Sequence, residues 1–179
     1  MSIDGNGTGG EPRGPGAPGV SPGVPADIVA AAGAAGGPPP DAALEMARVF
    51  IDAVVWGDHA KVWDSLGAAG RTEVLEVATK RGMDEGLASR LGSGTASPAE
   101  MNEFLVDLVN GLRSELAGND LDHLTYALDD AETQGGRAAV VMNVPLHPLL
   151  GGTLPVGTLY LAVESAEWKV ERLIPLTSK

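Results

Sequence analysis

The chain of 179 residues contains no cysteine. Disulfides, a thiol nucleophile and every cysteine-based metal or redox centre are excluded. Aromatic residues make up only 4% of the chain, so a core has to be assembled mainly from Ala, Val, Leu and Ile. Basic residues are scarce too, with 12 Lys and Arg against 24 Asp and Glu and a formal net charge of −12. A chain this acidic, with no local Lys/Arg cluster, repels phosphate backbones and anionic lipid, so neither nucleic acid nor membrane is an expected partner. No stretch approaches the roughly 20 apolar residues of a spanning helix. The N-terminus lacks the basic start and apolar h-region of a secretory signal, which makes the cytoplasm the expected location. The three histidines are scattered, and no His-x-x-x-His pair or Asp-rich loop is present. No metal is therefore expected. The acidic run Asp129-Asp130 with Glu132 reads as a solvated turn. No Gly-rich phosphate loop or nucleophile elbow occurs, and no cofactor is expected.

What is present divides into two parts. Residues 1–40 hold eleven Gly and eight Pro and no aromatic; such a segment cannot bury enough surface to offset its chain entropy and reads as a disordered tail. Residues 41–179 read as one domain, for which an apolar share of 44% is ample. After Pro38-Pro39-Pro40, Asp41 is a candidate N-cap, and Leu44, Ala47, Ile51, Val54 and Val55 recur at helical spacing. Gly57 closes this helix, and Asp58 caps a short second one carrying Val62, Trp63 and Leu66. A third is expected over 71–81 with Val74, Leu75 and Val77 as its apolar stripe, and Leu87 to Leu91 suggest one further turn. Ser97-Pro98-Ala99-Glu100 is a capping box with Pro at the first helical position. It opens a helix using Met101, Phe104, Leu105, Leu108, Val109 and Leu112.

After Gly118 the apolar period changes from 3.6 to 2. Leu124, Tyr126 and Leu128 alternate, 137–145 is nearly all apolar, and 156–164 is joined to 168–176 through Ser165-Ala166. Three or four helices followed by a four-stranded antiparallel meander make an α+β domain.

Two short stretches carry a resemblance. The last hairpin, VESAEWKVERL (163–173), has an acidic turn followed by a strand opening Trp-Lys-Val. Near the other end, Gly57-Asp58 precedes Val62-Trp63-Asp64-Ser65-Leu66. Together they resemble the NTF2-like superfamily. That resemblance implies a curved sheet wrapped around a long helix into a cone with an apolar pocket. Its members include isomerases, dehydratases and cyclases as well as non-enzymatic binding and dimerisation modules, so the fold implies a pocket and not a reaction. The family's enzymes carry a hairpin between the helices and the main sheet, where this chain, from Ala68 to Ala117, reads as helical.

Candidate pocket residues are Tyr126, Asn143, Trp56, Trp63, Asp64 and His123. Tyr126 lies on the apolar face of the first strand and its hydroxyl needs a partner. Asn143 is the one polar residue between Ala138 and Val144. Trp56 and Trp63 read first as core. Asp64 reads as a capping or paired acid, and His123 as a surface residue on the face opposite Tyr126. His59 reads as surface, and His147 lies in a loop able to overhang a pocket mouth. The expected function is a non-catalytic module that binds a small apolar ligand or a protein and dimerises with itself. The alternative is a cofactor-free isomerase, dehydratase or cyclase, with Tyr126 and Asn143 as donors and Asp64 or His123 as base. It requires at least two of those groups to converge in one pocket.

Overall fold

A computed structural model describes residues 37–146, 149 and 151–176. Most of the expected tail, and His147, lie outside the described residues. Among the described residues five helices precede the sheet: α1 (Asp41–Trp56), α2 (His59–Ser65), α3 (Ala68–Lys80), α4 (Glu85–Ser93) and α5 (Pro98–Glu115). A 3-10 turn at Leu121–His123 leads to β1 (Thr125–Leu128), β2 (Arg137–Pro145), β3 (Thr153–Glu164) and β4 (Glu167–Pro175). The strands form one antiparallel sheet in sequence order. The α+β class and the four-stranded meander are those expected, with α4 a full helix rather than one turn.

Helix α1 is the centre of the domain. Ala43, Ala47, Phe50, Ile51 and Val54 form one stripe and are buried against the inner face of the sheet, where Val140, Met142, Leu159, Leu161 and Val170 meet them. These side chains form the main core of the domain, between α1 and the sheet. The helix starts differently from expectation. Its N-cap is Pro40, with no side-chain cap, and Asp41 sits in the first turn, where a carboxylate still favours the positive end of the helix dipole. Gly57 closes it at φ 73°, a left-handed conformation that costs glycine nothing. Residues 37–40, read as the end of the tail, are fastened to the sheet: Trp168 Nε1–H donates to the Pro39 carbonyl at 3.0 Å.

Asp58 caps α2 as expected, accepting from the Lys61 N–H. Helix α3 begins three residues earlier than its periodicity suggests. The reason is remote in sequence: Glu164, at the end of β3, accepts from the Ala68 N–H at 2.9 Å, and the Gly67 N–H donates to the Val170 carbonyl at 3.0 Å. Gly70 then lies directly on β4, where a Cβ would come 2.4 Å from the Val170 oxygen. The Ser97–Glu100 capping box is formed in both directions. Helix α5 is tied to α1 by Arg113, whose guanidinium donates to the Val54 and Val55 carbonyls at the end of α1. Among the described residues no helix is long and apolar enough to cross a membrane.

Candidate functional site

One concave feature is a groove of about 650 Å³ bounded by α3, α4, α5 and the second half of β4. Three sets of contacts hold its walls in place. Helix α3 is held by Glu164 and by the close approach of Gly70 to β4. The Arg71 guanidinium lies 5.0 Å from the centre of the Trp63 ring and donates to the Trp63 carbonyl. Trp63 in turn meets Phe104 of α5 edge to face at 5.7 Å, a favoured aromatic geometry. A small second core of Leu75, Leu91, Phe104 and Leu105 closes the bottom.

The floor is apolar. Val74, Val77 and Ala78 face it from α3, and Phe104, Leu108 and Leu112 from α5, each set at the three- and four-residue steps that share a helix face. Val77 is 39% exposed. The rim is charged and predominantly acidic. Two cross-links brace it: Arg81 pairs with Glu115 at 3.2 Å, and Arg172 of β4 pairs with Glu73 of α3 at 3.0 Å. Glu100 is held by the Ser97 N–H and by Arg90. These hydrogen bonds, the backbone one foremost, pull its carboxyl down to about 2. Glu103 and Asp107, one turn apart on the exposed side of α5, have no cationic partner among the described residues.

A second hollow, of about 630 Å³, lies against Tyr160, Arg137 and Arg172. Its charged groups satisfy one another. Arg137 lies 3.9 Å from Glu171, Arg172 is taken by Glu73, and Tyr160 is hydrogen-bonded to Glu132, which raises its phenol.

None of the six sequence candidates lines the first groove. Tyr126 is half-buried beside α1, and burial foremost, followed by the Asp52 carboxylate, pushes its phenol up to about 12. It is paired across the ladder with Met142, whereas Asn143 is paired with Thr125. Neighbouring strand positions point to opposite faces, so the two expected donors do not share a pocket. The Asn143 amide donates to the Val141 carbonyl instead. Trp56 is not core but 83% exposed. It stands two residues, about 200°, round the helix from the buried Val54, so the inward stripe leaves it outside. Trp63 is a half-buried packing residue, as expected. Asp64 is exposed, 4.0 Å from Arg71. His123 belongs to the 3-10 turn rather than to a strand and bonds Asp120 at 3.0 Å; that hydrogen bond and the nearby carboxylates raise its imidazole.

The groove residues were visible in the sequence as the apolar stripes of α3 and α5. Nothing in a stripe distinguishes a face that is covered from one that flanks an opening. Among the described residues no group of three or more His, Asp or Glu is placed to hold a metal ion. Comparison of the chain with protein-family models, with curated proteins and with solved structures gave no match.

Proposed function

We propose that residues 41–176 form a non-catalytic binding module of the NTF2-like kind, whose working surface is the groove between α3 and α5. The observation that carries this is the groove itself: an opening of about 650 Å³ with a continuous apolar floor, within the size range of small-ligand pockets. Helices followed by an antiparallel meander, with the longest buried stripe on α1, support the family resemblance. The placement of Tyr126 and Asn143 on opposite faces of the sheet, with Asp64 and His123 exposed, weighs against the isomerase, dehydratase or cyclase alternative.

Self-association is part of the same proposal. Leu146 and Leu154, on either side of the β2–β3 connection, and Ile174 and Leu176, at the end of β4 and just beyond it, are all at least 38% exposed. Exposed apolar side chains left in water favour pairing with a second copy. The solution mass checks this: twice 18.2 kDa supports the homodimer, and a single-chain mass at micromolar concentration removes it.

The test of the groove is a thermal-shift titration with a neutral apolar dye such as Nile red. At 100 times its dissociation constant a ligand adds about 2.7 kcal/mol, a midpoint rise on the order of 8 °C. Val77→Asp, at a part-exposed floor position, abolishes the rise if the groove is the site. A rise equal in the wild type and Val77→Asp refutes the proposal.

A further inference from the structure

We infer that the occupant of the α3/α5 groove is a basic amphipathic helix of a partner protein; this rests on the groove being the binding surface. Three features of the groove point to that chemistry. The first is its length. The lining runs along α5 from Glu100 to Glu115, fifteen residue steps or about 22 Å of helix, which suits an elongated occupant better than a compact metabolite. The second is its cross-section. The floor is apolar and the mouth open, the arrangement into which an amphipathic helix lays one face while its other side stays in water.

The third is charge, and it selects among such helices. Glu103, Asp107 and Glu115 all belong to the lining and stand on one line of α5, at four-residue steps with Gly111 between them. Each step advances about 6 Å along the axis, the same pitch at which a helix lying alongside repeats its own side chains at i and i+4. Glu115 is already taken by Arg81, whereas Glu103 and Asp107 remain for Lys or Arg of an incoming helix. At Gly111 an added Cβ would meet nothing within 4 Å, so the space between the acidic positions is open to a side chain of the incoming helix. The net charge of −12 favours a cationic partner at long range as well and speeds its encounter.

The probe is a Leu/Lys peptide of about fourteen residues with leucines at i, i+3, i+4 and i+7, titrated into the full-length protein by fluorescence anisotropy alongside its Leu/Glu counterpart. The Lys peptide is expected to bind and the Glu peptide not to bind. Val77→Asp is expected to weaken binding at least ten-fold. Glu103→Gln combined with Asp107→Asn removes two exposed ion pairs and is expected to weaken it about five-fold. Asp122→Asn combined with Asp130→Asn removes the same charge away from the groove and is expected to change binding less than two-fold. Equal effects of the two charge pairs, or indifference to Val77→Asp, mean that the peptide merely coats an acidic surface, and the inference falls. If Nile red binds in the groove and the Lys peptide does not, the helix inference fails while the groove stands as a small-ligand site. If neither binds, both are wrong.

Discussion

Gly70 and Gly111 are both helical glycines, and the same substitution at the two positions should change stability in opposite directions. Alanine in a helix gains about 1 kcal/mol over glycine when nothing else changes. At Gly111 an added methyl meets open space, so Gly111→Ala should stabilise the domain by up to that amount. At Gly70 the methyl would lie 2.4 Å from the Val170 carbonyl oxygen and 3.1 Å from that of Glu171. Neither oxygen can withdraw easily, because both belong to the β4 backbone and the Val170 carbonyl already accepts from the Gly67 N–H. Helix α3 must lift from the strand, and overpacking of this kind costs about 1–3 kcal/mol. Set against the propensity gain of about 1 kcal/mol, Gly70→Ala should be destabilising by up to about 2 kcal/mol. Urea denaturation of the two variants and the wild type reads the difference directly, and the melting midpoints should separate by several degrees. If Gly70→Ala proves as stable as Gly111→Ala, α3 does not rest on β4, and the groove wall is wrongly placed.

Ser165 and Ala166 turn the last hairpin with φ of 52° and 65°, a left-handed region that costs a side-chain-bearing residue about 1 kcal/mol or more; Ala166→Gly should therefore raise stability by about 1 kcal/mol, and an unchanged urea midpoint would contradict the turn geometry. Trp168→Phe removes the N–H donated to Pro39 and part of a buried ring, and should cost about 1–2 kcal/mol while speeding protease cleavage near residue 39. Glu100 has a folded-state pKa of about 2 against an ordinary 4.5. A lowered pKa gives stability that is present above 4.5 and is lost as pH falls towards 2. The stability gap between the wild type and Glu100→Gln should thus shrink between pH 5 and pH 2.5, and a constant gap would mean the carboxylate is not held as described.

How much of this was legible in the sequence depended on whether the determinants were local. Gly57, Asp58 and the Ser97–Glu100 box act within one turn of chain, and each sits where its local chemistry places it. The period-2 alternation of Leu124, Tyr126 and Leu128 gave the first strand, although Asp120 drew His123 into a 3-10 turn before it. The start of α3 was not legible, because it is set by Glu164, 96 residues further on, and by a backbone approach that only Gly70 permits. Trp56 shows the complementary failure, since a large aromatic at the end of an apolar helix reads as core until the direction of the buried stripe is known. The groove was hidden for a related reason. Val74, Val77, Leu108 and Leu112 have the spacing of any buried face, and only the tertiary placement of α3 and α5 on two sides of one opening distinguishes them. The enzyme alternative needed Tyr126 and Asn143 to converge, and the ladder register puts them on opposite faces.

The central claim is that the working surface is this groove and not the interior between α1 and the sheet. The most direct test is amide chemical-shift mapping of the full-length protein titrated with Nile red. The account predicts shifts confined to α3, α5 and the second half of β4, strongest near Val77, Leu108 and Leu112. Shifts centred on Phe50, Tyr126 and Met142, around the buried interior of the domain, would contradict it.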